Sequence, residues 1–379
     1  MYPDLQQYLL DSQADLLQLI RGLCAIPAPS HAEQHRAAFC KTWFEQAGGQ
    51  GVYVDEALNV VCPYNVTEDT PVVVVMAHTD TVFPDTQPLP FREDDTYIHC
   101  PGVCDDTANL AVLMICARYF LQNNIPAKQS ILFVANSCEE GLGNLKGTRA
   151  IAQAYGSRMT ELITFDGTSL HGIVDEAVGS HRYRVTVKTE GGHSFNAFGN
   201  RNAIRCLASI IDTLYTVKVP EENGSKTTYN VGTISGGTSV NTIAQEAEML
   251  YEYRSDNKTC LAKMESMFLQ VLEAYRATGI QVDADRIGER PCTGDVDEAA
   301  RQALRDRAAD AIRTVTGLEP VFRSGSTDCN IPLSLGIPAI CMGVCIGKGA
   351  HTREEFLDKR SLLPGCQLAM QFLKHYFIW

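Results

Sequence analysis

No run among the 379 residues approaches the ~18 consecutive apolar side chains of a membrane span, which excludes a helical membrane protein. No segment is of low complexity and none repeats another. Positive charge is in deficit: 32 basic against 45 acidic side chains leave a net charge of −13, which argues against a nucleic-acid or anionic-membrane partner. The first twenty residues lack the basic start and apolar core of a secretory leader, and carry Asp4, Asp11 and Asp15 in a helical pattern instead, so a cytoplasmic protein is expected. Cysteine is not scarce, at 14, but a disulfide framework is missing; residues such as Cys116 and Cys341 lie inside apolar segments and read as buried, reduced thiols. Cys100/Cys104 and Cys341/Cys345 have no companion ligands nearby, which disfavours a cysteine-type zinc site. The Gly-rich stretch 234–242 lacks the lysine and the spacing of a phosphate loop, so nucleotide binding is disfavoured too. What remains is an ordinary globular composition, 45% hydrophobic and 20% charged, in a chain long enough for two domains.

The strongest local signal is at 72–82. Four valines, Met76 and Ala77 form a continuous apolar run that stops at His78, Thr79 and Asp80. Such a run fits a strand buried on both faces, as in a parallel sheet, and ligands of open α/β sheets collect beyond the carboxyl ends of such strands. His78 and Asp80 are two apart and project to one side if the extended backbone continues. Asp80 can then orient a metal-bound imidazole by holding its second nitrogen. Taken alone, the pair reads equally well as a core histidine capped by a turn aspartate.

Along the chain, residues 4–22 carry apolar side chains at helical spacing, and 26–30 break them with two prolines. Ser30 and Glu33 have the spacing of a capping box for a second helix ending at Gly48-Gly49. Short strands near 51–55 and 59–62 precede the valine strand; Gly102 to Asn109 forms an acidic turn, and 110–121 a buried helix. Strands at 131–135 and 162–165 also end in acid, at Glu139-Glu140 and at Asp166. Three neighbouring strand tips of this kind would gather His78, Glu139, Glu140 and Asp166 around one pocket. The alternation of α and β segments predicts an α/β fold with a mostly parallel sheet flanked by helices.

From about Gly179 the texture changes to alternating strands near 182–187, 227–234 and 247–254, with helices near 201–216 and 257–276. This predicts an inserted α+β domain over 179–292, an antiparallel sheet with two helices on one face. The first texture resumes with a helix to about 315, strands near 319–323 and 338–344, and a terminal helix, so the first domain is expected to be discontinuous, 1–178 and 293–379.

His351 follows Gly347 and Gly349, which permit an unusual backbone path, although a plain surface loop looks similar. Together His78, Asp105, Glu140, Asp166 and His351 supply two imidazoles and three carboxylates, a donor set that suits two Zn²⁺ ions, with Mn²⁺ or Co²⁺ conceivable. Glu139 is left over. A water shared by two cations loses its proton readily, and a neighbouring carboxylate can accept that proton and pass it to a leaving amine.

These motifs resemble those of the co-catalytic metallopeptidase family that includes peptidase T, carboxypeptidase G, aminoacylase and succinyl-diaminopimelate desuccinylase. The likeness rests on His78-Thr-Asp80, Gly102-Val-Cys-Asp105-Asp106, Cys138-Glu139-Glu140-Gly, Phe165-Asp166-Gly and Ala350-His351-Thr, in order over nearly the whole chain. The resemblance implies a zinc-exopeptidase-like fold with a lid and dimerisation domain, and a homodimer formed through that lid. It implies His78 and Asp166 on one metal, Glu140 and His351 on the other, and Asp105 bridging, with Asp80 as orienter and Glu139 as general base. One departure stands out: many members carry Lys-Gly or Lys-Ala-Gly after the paired aspartates, where this chain has Thr107-Ala108-Asn109, so the choice of Asp105 over Asp106 as bridge comes from the resemblance alone.

In the insertion, Gly191-Gly-His193-Ser194 matches a motif whose histidine reaches a partner subunit's active site and polarises the substrate carbonyl; His193 also reads as a turn histidine. Asn241 and Arg254 resemble lid positions that contact substrate. A guanidinium can grip a terminal carboxylate in a bidentate way, and Arg254 can equally belong to a surface ion pair. The stretch 324–328 is expected to form another wall of the cleft. The expectation is a cytoplasmic di-zinc exopeptidase acting on short peptides. Its rivals are an N-acyl amino-acid amidohydrolase using the same centre and a non-catalytic metal-binding scaffold, which would have no need of Asp80 and Glu139.

Overall fold

Val72–His78 is a strand with every residue buried, and its period of two sends alternate side chains into two different cores. Val73, Val75 and Ala77 enter one with Leu16, Leu113 and Leu368, from the helices Gln13–Cys24, Ala108–Asn123 and Leu362–Leu373. Val72, Val74 and Met76 enter the other with Ile151 of Lys146–Tyr155 and Leu333 of Asn330–Ser334. Burying one valine contributes roughly 1.5–3 kcal/mol, so this strand is the mechanical anchor of the sheet.

A computed structural model describes residues 4–378; the ends of the expected catalytic domain, residues 1–3 and 379, lie outside the described residues. The chain divides into two units, Met1–Ala177 with Gly294–Trp379, and Val178–Thr293. In the first, eight strands run in the order Tyr53–Val54, Val60–Tyr64, Ser130–Asn136, Val72–His78, Met159–Phe165, Ala339–Met342, Gly172–Ala177, Val321–Gly325. The pairings of the valine strand with both neighbours, and of Met159–Phe165 with Ala339–Met342, are parallel. The tips of these strands therefore point one way, and helices cover both faces, as the α/β reading of the sequence expects. Gly172–Ala177 escapes that reading because Asp175 interrupts its apolar pattern. In the fold this buried carboxylate is paired with Arg305 Nη1 at 2.6 Å and Arg301 Nη2 at 3.4 Å.

The second unit is an antiparallel sheet ordered Thr227–Gly236, Glu246–Ser255, Gly179–Lys188, Gln281–Arg290. Tyr183, Val185 and Val187 with Met249, Tyr251 and Tyr253 form its buried face against Leu207 and Ile210 of Ala203–Tyr215 and Met264 and Phe268 of Lys258–Arg276. The edge strand Gln281–Arg290 is not evident in the sequence, because most of its residues are polar and only Val282, Gly288 and Arg290 are buried.

Two local expectations are corrected. The helix expected over 4–22 is divided at Ser12 into Leu5–Asp11 and Gln13–Cys24, where the buried Ser12 hydroxyl accepts from Arg118 Nη2 at 3.1 Å. The capping box at Ser30 and Glu33 does not form: the next helix, Gln34–Gln46, has Glu33 at its cap position with no side-chain cap bond, because both side chains are engaged elsewhere. Among the described residues no helix is long and apolar enough to cross a membrane. All 14 cysteines are unpaired, and all but Cys206 are buried.

Candidate metal centre

The side chains at the strand tips of the first unit converge. His78, Asp105 and Asp166 place one ligand atom each within 4.8 Å of one another; so do His78, Glu139 and Glu140, and so do Asp105, Glu140 and His351. The two oxygens of Asp105 divide between the imidazoles: Oδ1 lies 3.2 Å from His78 Nε2 and Oδ2 lies 3.0 Å from His351 Nε2. Glu140 Oε1 is 3.2 Å from the same His351 nitrogen and, although buried, makes no hydrogen bond of acceptable geometry. This is a donor set with unmet demand, and its imidazole and carboxylate composition fits two divalent cations. Glu139, only 5% exposed, lies beside these groups.

The electrostatics are those of crowded like charges in a dry place. Burial, then the Asp105 charge, pushes the Asp166 carboxyl well above its ordinary value; burial pushes Glu140 up to about 7 against the pull of His351. Burial also works against Asp105, but hydrogen bonds from His351 and His78 outweigh it and hold that carboxyl low. The nearby carboxylates of Asp105 and then Glu140 lift His351 to about 10.

Each group is aimed by the backbone behind it. His78 Nδ1 lies 3.0 Å from the Asp80 carbonyl oxygen and 3.4 Å from Asp80 Oδ1, so the backbone as well as the carboxylate of Asp80 orients the imidazole. The fully buried Asp80 carboxylate accepts from the Glu139 N–H at 3.0 Å on Oδ1, and on Oδ2 from the Glu140 N–H at 3.0 Å and the Ser30 hydroxyl at 2.6 Å. Burial opposes its ionisation, yet His78, Ser30 and the Glu140 N–H keep it below the ordinary value. Glu33, also fully buried, accepts the Cys138 N–H at 3.0 Å and its thiol at 3.1 Å, and so fixes the left-handed residue (φ 57°) that starts the Glu139-Glu140 turn. Buried Arg36 donates to the carbonyls of Leu23, Ile26 and Thr79, tying the first helices to the end of the valine strand.

At the point where the chain departs from the family pattern, Asn109 is buried and fully used. The two hydrogens of its NH₂ are shared among Asp106 Oδ1 at 2.6 Å, Gly167 O at 3.1 Å and Cys104 O at 3.2 Å, and its oxygen accepts from the Val344 N–H at 2.9 Å. Asp106 Oδ2 accepts the His78 N–H at 2.9 Å, so this carboxylate points into the protein while Asp105 points to the two imidazoles. Asp328, expected in a cleft wall, is fully buried: it accepts from Asn136 Nδ2 at 2.6 Å and from the Thr148 hydroxyl, and burial, then the Glu139 charge, lifts it to about 7. Glu33, Arg36 and Asn136 carry no site signal in the sequence, because their partners lie far along the chain.

The remaining candidates belong to the second unit. His193 and Asn241 are adjacent there, with the Ser194 N–H donating to the Asn241 carbonyl at 2.9 Å, and both are exposed. Arg254 makes a bidentate pair with Glu252, 2.8 Å from Nε and 3.0 Å from Nη2.

Comparison with known proteins adds an independent finding. Residues 74–375 match the model of peptidase family M20/M25/M40. A succinyl-diaminopimelate desuccinylase of Corynebacterium glutamicum is 24% identical, over 96% of this chain and 97% of its own. A tripeptidase from Staphylococcus aureus superposes with a TM-score of 0.76 at 22% identity, covering 96% of this chain and 98% of that one. A protein of Bacillus subtilis described as a dinuclear metal-binding peptidase of the M20 family superposes with a TM-score of 0.66 at 18% identity, covering 95% and 97%.

Replacing Asp80 tests how the turn is held. Asp80→Asn offers one acceptor oxygen where two are in use, so an amide NH₂ must face an N–H. The expected loss is about 1–3 kcal/mol of stability, read as a lower urea midpoint of the metal-free protein, with weaker metal retention on dialysis.

Proposed function

The chain belongs to the M20/M25/M40 peptidase family, and from that premise we propose that it is a di-zinc exopeptidase that hydrolyses short peptides. The observation that carries this reading is the division of the Asp105 oxygens between His78 and His351, with Glu139 beside them. His78 and Asp166 would hold one cation, Glu140 and His351 the other, and Asp105 both. Two such cations supply Lewis acidity toward the scissile carbonyl and make a nearby water acidic enough to ionise at neutral pH.

The protein's own groups do the rest. A Glu139 carboxylate oxygen takes the proton from the attacking water and delivers it to the leaving nitrogen, which must depart as an amine. Its N–H is bonded to Asp80, so the base and the orienter of His78 are positioned by one side chain. His193, from the second unit, would stabilise the developing oxyanion in a partner subunit. Asn241 would contact substrate, and Arg254 would have to exchange its pairing with Glu252 for a substrate carboxylate. Support for a homodimer comes from the edge strand Thr227–Gly236 and the exposed apolar residues Phe195 (84%), Phe198 (90%) and Ile234 (55%). Unpaired thiols fit the reducing cytoplasm.

A second reading, removal of an N-acyl group from an amino acid, is favoured by the desuccinylase relative that aligns over nearly the full length. Di- and tripeptides assayed beside N-acetyl and N-succinyl amino acids separate the two: turnover of free peptides is expected, and exclusive turnover of the acylated compounds would replace the peptidase reading. Glu139→Ala is expected to retain its metal content while kcat falls about 10²–10⁴-fold. Sedimentation is expected to give twice the chain mass, and Ile234→Lys to shift the protein toward monomer with a loss of kcat.

A further inference from the structure

The loop that carries His351 and the turn that carries Asp105 are about 250 residues apart in sequence and meet at one side chain, Glu355. Its carboxylate is 1% exposed and accepts from both sides. Oε2 takes the Gly102 N–H at 2.7 Å; Oε1 takes the Cys104 N–H at 2.7 Å, the Asp105 N–H at 3.0 Å and the Cys104 thiol at 3.0 Å. Gly102 is left-handed there (φ 79°), and a Cβ at that position would meet Thr81 Cγ2 at 2.5 Å, so the turn has little freedom to adopt another path. Beyond the turn, Asn109 holds the Cys104 carbonyl and the Asp106 carboxylate.

Resting on the two-cation reading above, we infer that Glu355 is a positioning residue that locks Asp105 into its two-sided geometry and couples it to the His351 loop. Three N–H groups and a thiol converge where only a carboxylate has an acceptor oxygen on each side; an amide of the same shape must turn an NH₂ toward an N–H. That conflict rotates the turn and with it the Asp105 oxygens, which reach both imidazoles only because they are held at 3.2 Å and 3.0 Å from them. Both Glu355 oxygens are spent on the turn and Glu355 is in none of the ligand groups described around the imidazoles, so its effect travels through Asp105.

The test is metal binding, read apart from hydrolysis. Metal-free wild type, Glu355→Gln and the exposed neighbouring control Glu354→Gln are titrated with Co²⁺, following the ligand-field spectrum and chelator competition. Wild type and Glu354→Gln are expected to take up two equivalents. In Glu355→Gln the second equivalent is expected to bind about ten- to a hundredfold more weakly, with an altered spectrum, kcat lowered in step and KM little changed. Two equivalents bound by Glu355→Gln as tightly as by wild type would overturn the inference and leave the two-cation reading standing. Wild type that takes up fewer than two equivalents would overturn that reading and the inference with it. Should Glu355→Gln fail to fold, Glu355→Asp, which keeps both oxygens but draws them back by one methylene, is expected to show the same loss, and undiminished binding by it would again overturn the inference.

Discussion

The hydrogen bonds on the buried Asp80 carboxylate set the geometry of the whole centre. This side chain is two residues from His78, yet its oxygens are spent on the N–H groups of Glu139 and Glu140, on a different strand tip, and on the Ser30 hydroxyl from the N-terminal segment. Its own backbone carbonyl faces His78 Nδ1. The proposed base Glu139, the proposed cation ligands His78 and Glu140, and a third segment of chain are thus referred to one carboxylate. In a region of low dielectric the alternative, three unpaired donors, would cost several kcal/mol, so these groups move together or not at all.

Around that carboxylate the protein repeats one solution. Glu33 receives the Cys138 N–H and thiol, Asp106 the His78 N–H, Asp328 the Asn136 amide, and Glu355 the turn before Asp105. Each is a buried acid facing backbone or amide donors, whereas Asp105 turns both of its oxygens to the imidazoles and Glu140 Oε1 faces His351 without a hydrogen bond of acceptable geometry. Buried carboxylates therefore do two jobs: acceptors of N–H groups hold the backbone behind the strand tips, and others crowd one another beside the imidazoles. A crowd of this kind is stable only with positive charge among it, which His78 and His351 supply in part.

Much of this was legible in the sequence, for a specific reason. The valine run, the two later apolar strands and the acid at the end of each are local patterns, and the parallel sheet turns local patterns into one site by aligning strand ends. His351 was legible from its glycines and its family motif. The groups that were not legible are those whose meaning lies in a partner far away: Glu33 has the spacing of a helix cap but binds residue 138, and Asn109 looks like a lapse from the family pattern yet joins four groups from three segments. Polar strands were missed for the same reason. Asp175 is acceptable in Gly172–Ala177 only because Arg305 and Arg301 come from a later helix to meet it.

The place of Ala339–Met342 in the sheet has a consequence for how the protein comes into being. That strand lies between Met159–Phe165 and Gly172–Ala177, parallel to one and antiparallel to the other. On a ribosome, therefore, a chain grown past residue 300 still has an open slot in the middle of its main sheet, while Val178–Thr293, contiguous in sequence, already has all its strands. Pairings of such long range are slow to close. The inserted unit can be finished first, and the nascent chain gains a working centre only when the segment after Thr293 joins the main sheet, bringing His351 with it. A hydrolase built in this order stays inert toward peptides until the segment that bears Ala339–Met342 and His351 has been made.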